Sequence, residues 1–276
     1  KILSYNIMSF GNMEKENGKN PVLEYLRKSD ADIICLQEHN ISPTAKIHLN
    51  AKEVEEGMKA YPYRHIQRVG QENGNNRIAV YSRFPILSAR KLQYDSSYNG
   101  SAIYELKINE DTITLINNHL ESNKLTKADK AVYEEMLKDP NAHKVKSGTQ
   151  HLVGKLAEAS AIRAKQADVI AAEIAASRHP YIIVCGDFND TAISYTHRVI
   201  AEKLDDAFTE SGQGLGISYN QNKFYFRIDN ILISKSLRAY NCTVDRSIKD
   251  SDHYPIWCYV CLLYTSPSPR DRQKSR

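Results

Sequence analysis

The sequence predicts an α/β protein in which two packed β-sheets are flanked by helices. Short apolar, β-branched runs of strand length recur along the whole chain, helix-like periodicity is confined to a few segments between them, and no internal repeat is visible. With 276 residues, 41% of them hydrophobic and 25% charged, the composition is that of a globular protein, long enough for one large domain or two small ones. No run approaches the roughly 20 apolar residues that a membrane-spanning helix needs.

Taken in order, Ile2–Ile7 reads as a strand interrupted by Asn6. Pro21–Ser29 reads as a helix, with Pro21 at its first position and Val22, Leu23, Tyr25 and Leu26 apolar. Ile33–Leu36 is strand-like and runs into Gln37-Glu38, and Ile78–Ser82, Ala102–Ile108 and Thr112–Asn117 follow, the last leading to Asn118-His119. Residues 121 to 155 are rich in Lys, Glu, Asp and Asn and read as an insertion with short helical pieces such as Lys127–Leu137. Its plain reading is a solvated excursion, and its functional reading is a lid or a substrate-selecting loop. Leu152–Ser177 is an alanine-rich helix with Leu156, Ile162, Ile170 and Ile174 at helical spacings. Tyr181–Cys185, Ile228–Ile233 and Pro255–Val260 complete the strands.

The formal charge of +4 is concentrated at the end of the chain, where Arg270, Arg272, Lys274 and Arg276 stand against Asp271 within residues 262–276. Without that segment the net charge is about +1, which gives no signature of a polyanion-binding surface. The segment is polar, rich in Pro and Ser and aperiodic, so residues 262–276 are expected to be disordered and non-native, and residues 1–261 to form the folded domain. Because Lys1 opens directly on a strand, a preceding N-terminal segment is expected. Of the five cysteines, Cys35 and Cys185 lie in apolar runs and read as buried thiols. Cys258 and Cys261 have zinc-knuckle spacing, but no second pair or histidine is near and a strand turns them to opposite faces, so no zinc site is assigned.

The chemistry lies at the strand ends. Ile182–Cys185 runs into Gly186-Asp187-Phe188-Asn189, which exposes a carboxylate and a carboxamide at one edge, with Gly186 permitting a sharp turn. Asp229 is embedded in an apolar strand, where an uncompensated charge is costly, and His253 in Ser251-Asp252-His253-Tyr254-Pro255 is an available partner. Glu38, Asn6 and His119 interrupt or end three further strands. Singly, each of these groups reads as a cap or a turn former. Their repetition at strand after strand reads as a site.

Ser4-Tyr5-Asn6, Leu36-Gln37-Glu38, Asn118-His119-Leu120-Glu121-Ser122, Gly186-Asp187-Phe188-Asn189, Arg227-Ile228-Asp229 and Ser251-Asp252-His253-Tyr254-Pro255 occur in the order seen in the endonuclease/exonuclease/phosphatase superfamily. The resemblance covers about residues 1–261 and is to bacterial members of unassigned substrate. It implies a four-layer α/β sandwich of the deoxyribonuclease I type, with two central mixed sheets and a metal-bearing cleft. It further implies Mg²⁺ or Mn²⁺ held by Glu38 with Asn6 and Asp252, oxygen ligands that suit such hard cations. On the same resemblance, Asp187 orients or deprotonates the attacking water, Asn189 and His119 hold phosphate oxygens, and His253 paired with Asp229 acts as base or stabilises developing charge. Arg77, where many relatives carry glycine, is either a phosphate contact or an exposed strand-edge residue.

The implied activity is metal-dependent hydrolysis of phosphodiesters or phosphomonoesters by in-line attack of water. Histidine at position 119 resembles the deoxyribonuclease I, sphingomyelinase and phosphoinositide phosphatase branches rather than abasic-site endonucleases. The substrate is therefore nucleic acid, phospholipid or inositol phosphate, and no protein partner is inferred. Lys124, Lys127, Lys130, Lys144 and Lys146 could attract phosphate, but with Glu121, Asp129, Glu134, Glu135 and Asp139 interleaved the favoured reading is a solvated mixed-charge surface. Some family members carry hydrophobic N-terminal helices, so a membrane anchor with the domain facing outward is an expectation for the segment before Lys1. A binding module that kept the fold without the chemistry would lack an essential group, and none is missing.

Overall fold

The computed structural model describes residues 1–41, 48–71, 74–138, 143–219, 221 and 224–263, with the backbone alone at 127, 136–137 and 143–149. Among the described residues, twelve strands form two six-stranded sheets. The first contains β1 (Ile2–Asn6), β2 (Ile33–Gln37), β3 (Tyr63–Arg68), β4 (Arg77–Ser82), β11 (Leu237–Val244) and β12 (Ile256–Leu262), in the order β11-β12-β1-β2-β4-β3. The second contains β5 (Ile86–Lys91), β6 (Gly100–Ile108), β7 (Asp111–His119), β8 (Tyr181–Asp187), β9 (Leu204–Asp206) and β10 (Asp229–Ser234), in the order β5-β6-β7-β8-β10-β9. Both are mixed: β1 and β2 are parallel, as are β7 and β8, and the other pairings are antiparallel.

Side-chain alternation explains the layering. Ile2, Ile33, Cys35 and Val80 of the first sheet meet Tyr104, Leu115, Cys185 and Ile231 of the second in the central core. The intervening residues Leu3, Tyr5, Ile34 and Leu36 face outward onto Val22, Leu23 and Leu26 of α2 (Pro21–Lys28) and Val54 of α3 (Ala51–Gly57). On the far side, Ile116, Val184 and Leu232 pack against Ala167, Ile170 and Ile174 of α5 (His143–Ala176) and Ile200 of α6 (Tyr195–Ile200). The result is the expected four-layer sandwich. Helices α4 (Lys127–Lys138) and α7 (Ala207–Ser211) lie beside it, and α1 (Met8–Asn12) is a left-handed turn in which φ runs from 42 to 63 over Met8–Met13. Such a turn costs about 1–2 kcal/mol per non-glycine residue and persists only where its surroundings hold it. Here Phe10 is fully buried and Asn20 Nδ2 donates to its carbonyl at 2.8 Å.

Some expectations change. β12 continues through Leu262, which pairs with Leu237, so the folded domain passes 261. Of the 262–276 tail, residues 264–276 lie outside the described residues. Strand β8 continues through Gly186 to Asp187, so Gly186 does not serve a turn. It faces Asn118 across the parallel β7–β8 pair, where an added Cβ would lie 2.0 Å from the Asn118 carbonyl oxygen, and its φ is 129. Close backbone approach is what requires glycine. The described part of the insertion, largely exposed or half-buried, forms α4 and the first turns of α5, and some of its residues line the cleft described below. Cys35 and Cys185 are buried as expected.

Candidate active site

The strand order delivers the polar ends to one edge. Asn6 ends β1, Glu38 follows β2, His119 ends β7, Asp187 ends β8 and Asp229 opens the antiparallel β10. Register places Asp187 opposite both His119 and Asp229. The His253 loop closes over this edge, tied down by Ser251 Oγ, which donates to the Asn6 carbonyl at 2.7 Å. Between the sheets, Gln37 Nε2 donates to Asn117 Oδ1 at 2.8 Å, and Asn117 Nδ2 donates to the Leu36 and Ala79 carbonyls. These buried amides fix the ends of β2 and β7 relative to each other.

The eight expected residues converge. Asn6 Nδ2 donates to Glu38 Oε1 at 3.2 Å and to Asp187 Oδ2 at 3.1 Å, and its Oδ1 accepts from the Met8 amide at 3.2 Å. His253 Nδ1 lies 2.7 Å from Asp229 Oδ2, and its Nε2 lies 3.6 Å from Asp187 Oδ2. His119 Nε2 lies 3.6 Å from Asp187 Oδ2 and 3.8 Å from Glu38 Oε1. Asn189 turns its amide onto the framework: its N–H donates to Asp187 Oδ1 at 2.8 Å, and Nδ2 donates to the Leu120 carbonyl at 3.0 Å and to Asp187 Oδ2 at 3.3 Å. Asp252 is half-buried and lines the cleft with Glu38. Glu38 and Asn189 both adopt left-handed backbone, with φ of 53 and 51, a conformation that concentrates at functional sites.

Burial and charge set the protonation states. Burial raises the Asp187 carboxyl above its usual range, an effect that His253, His119 and the Asn189 amide partly offset. Burial alone would lower His253, but the carboxylates of Asp229 and Asp187 outweigh it and hold the imidazole well above its ordinary value. Burial lowers His119, which is therefore neutral near pH 7. Asn76 Nδ2 approaches His119 Nδ1 at 3.4 Å, so the neutral ring carries its proton on Nε2, toward the site. Glu38 is raised by burial and by the facing Asp252.

Glu38 and Asp252 repel one another, with no lysine or arginine partner for either among the described residues. Glu38 and Asp252, with the remaining lone pair of Asn6 Oδ1, fit a hard divalent ion. Asp187, Asp229 and His253 also offer ligand atoms within 4.8 Å of one another. There His253 Nδ1 and Asp229 Oδ2 are already bonded to each other, which leaves Nε2 and Oδ1.

The cleft beside these groups has a volume of about 610 Å³. Sequence reasoning missed several of its residues. Arg163 was not singled out, nor was Asn76, which lies outside the lining and approaches His119. Arg163 is buried, with Nε 3.1 Å from Asp190 Oδ2 and Nη1 donating to the Glu121 carbonyl at 2.9 Å. Tyr219, whose ring meets that of His253 edge-on at 5.1 Å, carries no local signal at all. Arg77 does not line the cleft. Lys127, Lys144, Lys146 and Asp139 of the expected mixed-charge surface have side chains outside the described residues.

The fold has counterparts. The chain resembles humanized TDP2 of D. rerio (17% identity, TM-score 0.62, 94% of this chain and 98% of that one). It also resembles an endonuclease/exonuclease/phosphatase family protein of Leptotrichia buccalis (17% identity, TM-score 0.60, 95% and 99%) and the human Nocturnin catalytic domain (14% identity, TM-score 0.62, 95% and 93%). At these identities the likeness is one of fold. A search of the curated proteins finds no match. The model of the Endonuclease/Exonuclease/phosphatase family matches residues 3–253, from the strand that carries Asn6 to the histidine of the acid–imidazole pair, and the chain belongs to that family.

Proposed function

We propose that this chain, a metal-dependent phosphoesterase by family, hydrolyses phosphate esters with Mg²⁺ or Mn²⁺ held by Glu38 and Asp252 beside Asn6. One observation carries the reading: His253 is bonded to Asp229 at 2.7 Å while its other nitrogen faces Asp187 at 3.6 Å, next to the Glu38–Asp252 pair. A divalent ion there supplies neutralisation of phosphate charge. Asp187, with its carboxyl raised by burial, is matched to take a proton from the attacking water. His253, held cationic by Asp229, donates to a phosphoryl oxygen as charge develops. Neutral His119 directs its Nε2–H at a second oxygen, and Asn189 locks the Asp187 carboxylate in one orientation.

Asp187→Asn and His253→Gln test these roles. Each is expected to lower kcat on bis-p-nitrophenyl phosphate by about 10²–10⁴ with the melting transition preserved, as loss of a positioned proton-transfer group does. Full activity in both variants would refute the assignment. A nuclease reading draws on the D. rerio TDP2 relative, which is known complexed with a single strand DNA product. Against it, two of the three cleft cations are committed to acids, Lys124 to Glu121 at 2.7 Å and Arg163 to Asp190 at 3.1 Å, which leaves only Lys130 among the described residues.

A further inference from the structure

The cleft has two unlike ends. At the catalytic end stand the carboxylates and histidines, and at the other Tyr133 from α4, Leu152 and Leu156 from α5, and Phe224, Phe226 and Ile228 from the segment before β10. Tyr133 and Phe224 stack at 4.0 Å between centroids, with 22° between their planes. Lys130, one turn of α4 away, donates to the Tyr219 hydroxyl at 3.0 Å, and the Tyr219 ring abuts His253. The apolar wall and the catalytic imidazole are therefore joined through a single tyrosine.

The wall is built before any ligand arrives. Asp129 of α4 accepts from the Thr126 amide at 2.7 Å and from Lys155 of α5 at 2.6 Å, which pins the start of α4 to α5. Yet Phe226 remains 39% exposed and Val153 of the same cleft 56% exposed. A preformed concavity of a few hundred Å³, apolar at one end with convergent polar groups at the other, is the form of a small-molecule site. Lys130 has no acidic partner among the described residues, unlike Lys124 and Arg163. One uncommitted cation beside an apolar wall suits one phosphate carrying one hydrophobic group. It does not suit a polyanion, which is followed by a track of cations. Half of the wall is aromatic, and a nucleotide base stacked on Tyr133, Phe224 or Phe226 is the alternative that the test below decides.

The geometry points to an ester whose organic group is hydrophobic: the segment from α4 into α5 forms a subsite that takes the apolar group of the phosphate ester. This rests on the phosphoesterase reading for the orientation of the phosphate, and its test does not use turnover. Binding of methyl-, butyl- and octylphosphonate, whose C–P bonds resist hydrolysis, is measured by calorimetry with Mg²⁺ present. Thymidine monophosphate serves as the nucleotide arm. Each added methylene that is fully buried strengthens binding by about fourfold, so affinity rises on the order of 10⁴-fold from methyl to octyl when all seven are buried. Tyr133→Ala and Leu156→Ala flatten that rise. An affinity independent of chain length, or thymidine monophosphate binding more tightly than octylphosphonate, overturns the proposal. The wild-type series decides even if a variant does not fold. Failure of the chain to hydrolyse any phosphate ester is a separate result, and it bears on the catalytic reading alone.

Discussion

Replacing Asp229 by asparagine keeps the shape of the side chain and removes its charge. Asp229 is fully buried, its Oδ2 sits 2.7 Å from His253 Nδ1, and its Oδ1 has no hydrogen-bond partner among the described residues. The carboxylate thus serves one residue. A charge-assisted bond of this kind contributes about 1.5–3 kcal/mol, which corresponds to a loss in kcat of roughly 10- to 150-fold. The pH behaviour provides a second readout. His253 is raised in the folded state, so its contribution to stability is fully present below its unfolded pKa of about 6.5 and is lost as pH rises through the higher folded value. Denaturant unfolding of the wild type should therefore show stability falling with pH above neutrality, and D229N should show a shallower fall. Steady-state kinetics with p-nitrophenyl phosphodiesters measures the first effect, and urea titrations between pH 6 and 9 measure the second. If D229N keeps kcat within twofold and the same pH slope, the pairing neither orients nor charges His253.

Other perturbations follow from the same geometry. His39 is buried, its Nε2 is 2.9 Å from the Tyr81 hydroxyl, and burial depresses it to about 4. Its contribution to stability is complete above pH ~6.5 and declines as pH falls toward 4, by about 3 kcal/mol in all, so H39Q should show a smaller acid loss in urea unfolding. Gly186→Ala places a Cβ 2.0 Å from the Asn118 carbonyl oxygen and should cost on the order of 4 kcal/mol or prevent folding, read by thermal melting. Asn189→Ala removes the side-chain bond to Asp187 without removing a charge, and should lower kcat by about 10-fold while leaving the melting temperature within a few degrees.

The site was largely legible in the sequence because each of its members breaks an apolar run: Asn6 within β1, His119 at the end of β7, Asp229 at the start of an otherwise apolar strand. Chain order then matched the family motifs, and the strand order of the sheets gathered them. Strand β3 escaped because it has a mostly exposed, polar surface, with Tyr63, Arg64 and Ile66 all exposed, so no hydrophobic alternation marks it. Strand β9 has three residues, too short for any period. The apolar wall was invisible for another reason. Tyr133, Leu152 and Leu156 are scattered through a charged segment, and only the packing of α4 on α5 brings them opposite Phe224 and Phe226. The role of Gly186 also needed three dimensions, since the constraint is the Asn118 backbone on the neighbouring strand.

Everything proposed for catalysis turns on a cation between Glu38 and Asp252. Hydrolysis of bis-p-nitrophenyl phosphate should cease when the protein is stripped with EDTA and return when Mg²⁺ or Mn²⁺ is added in excess, with Glu38→Gln failing to recover at the same metal concentration. Turnover that survives EDTA, or full metal rescue of the Glu38→Gln variant, would contradict the assignment of the site.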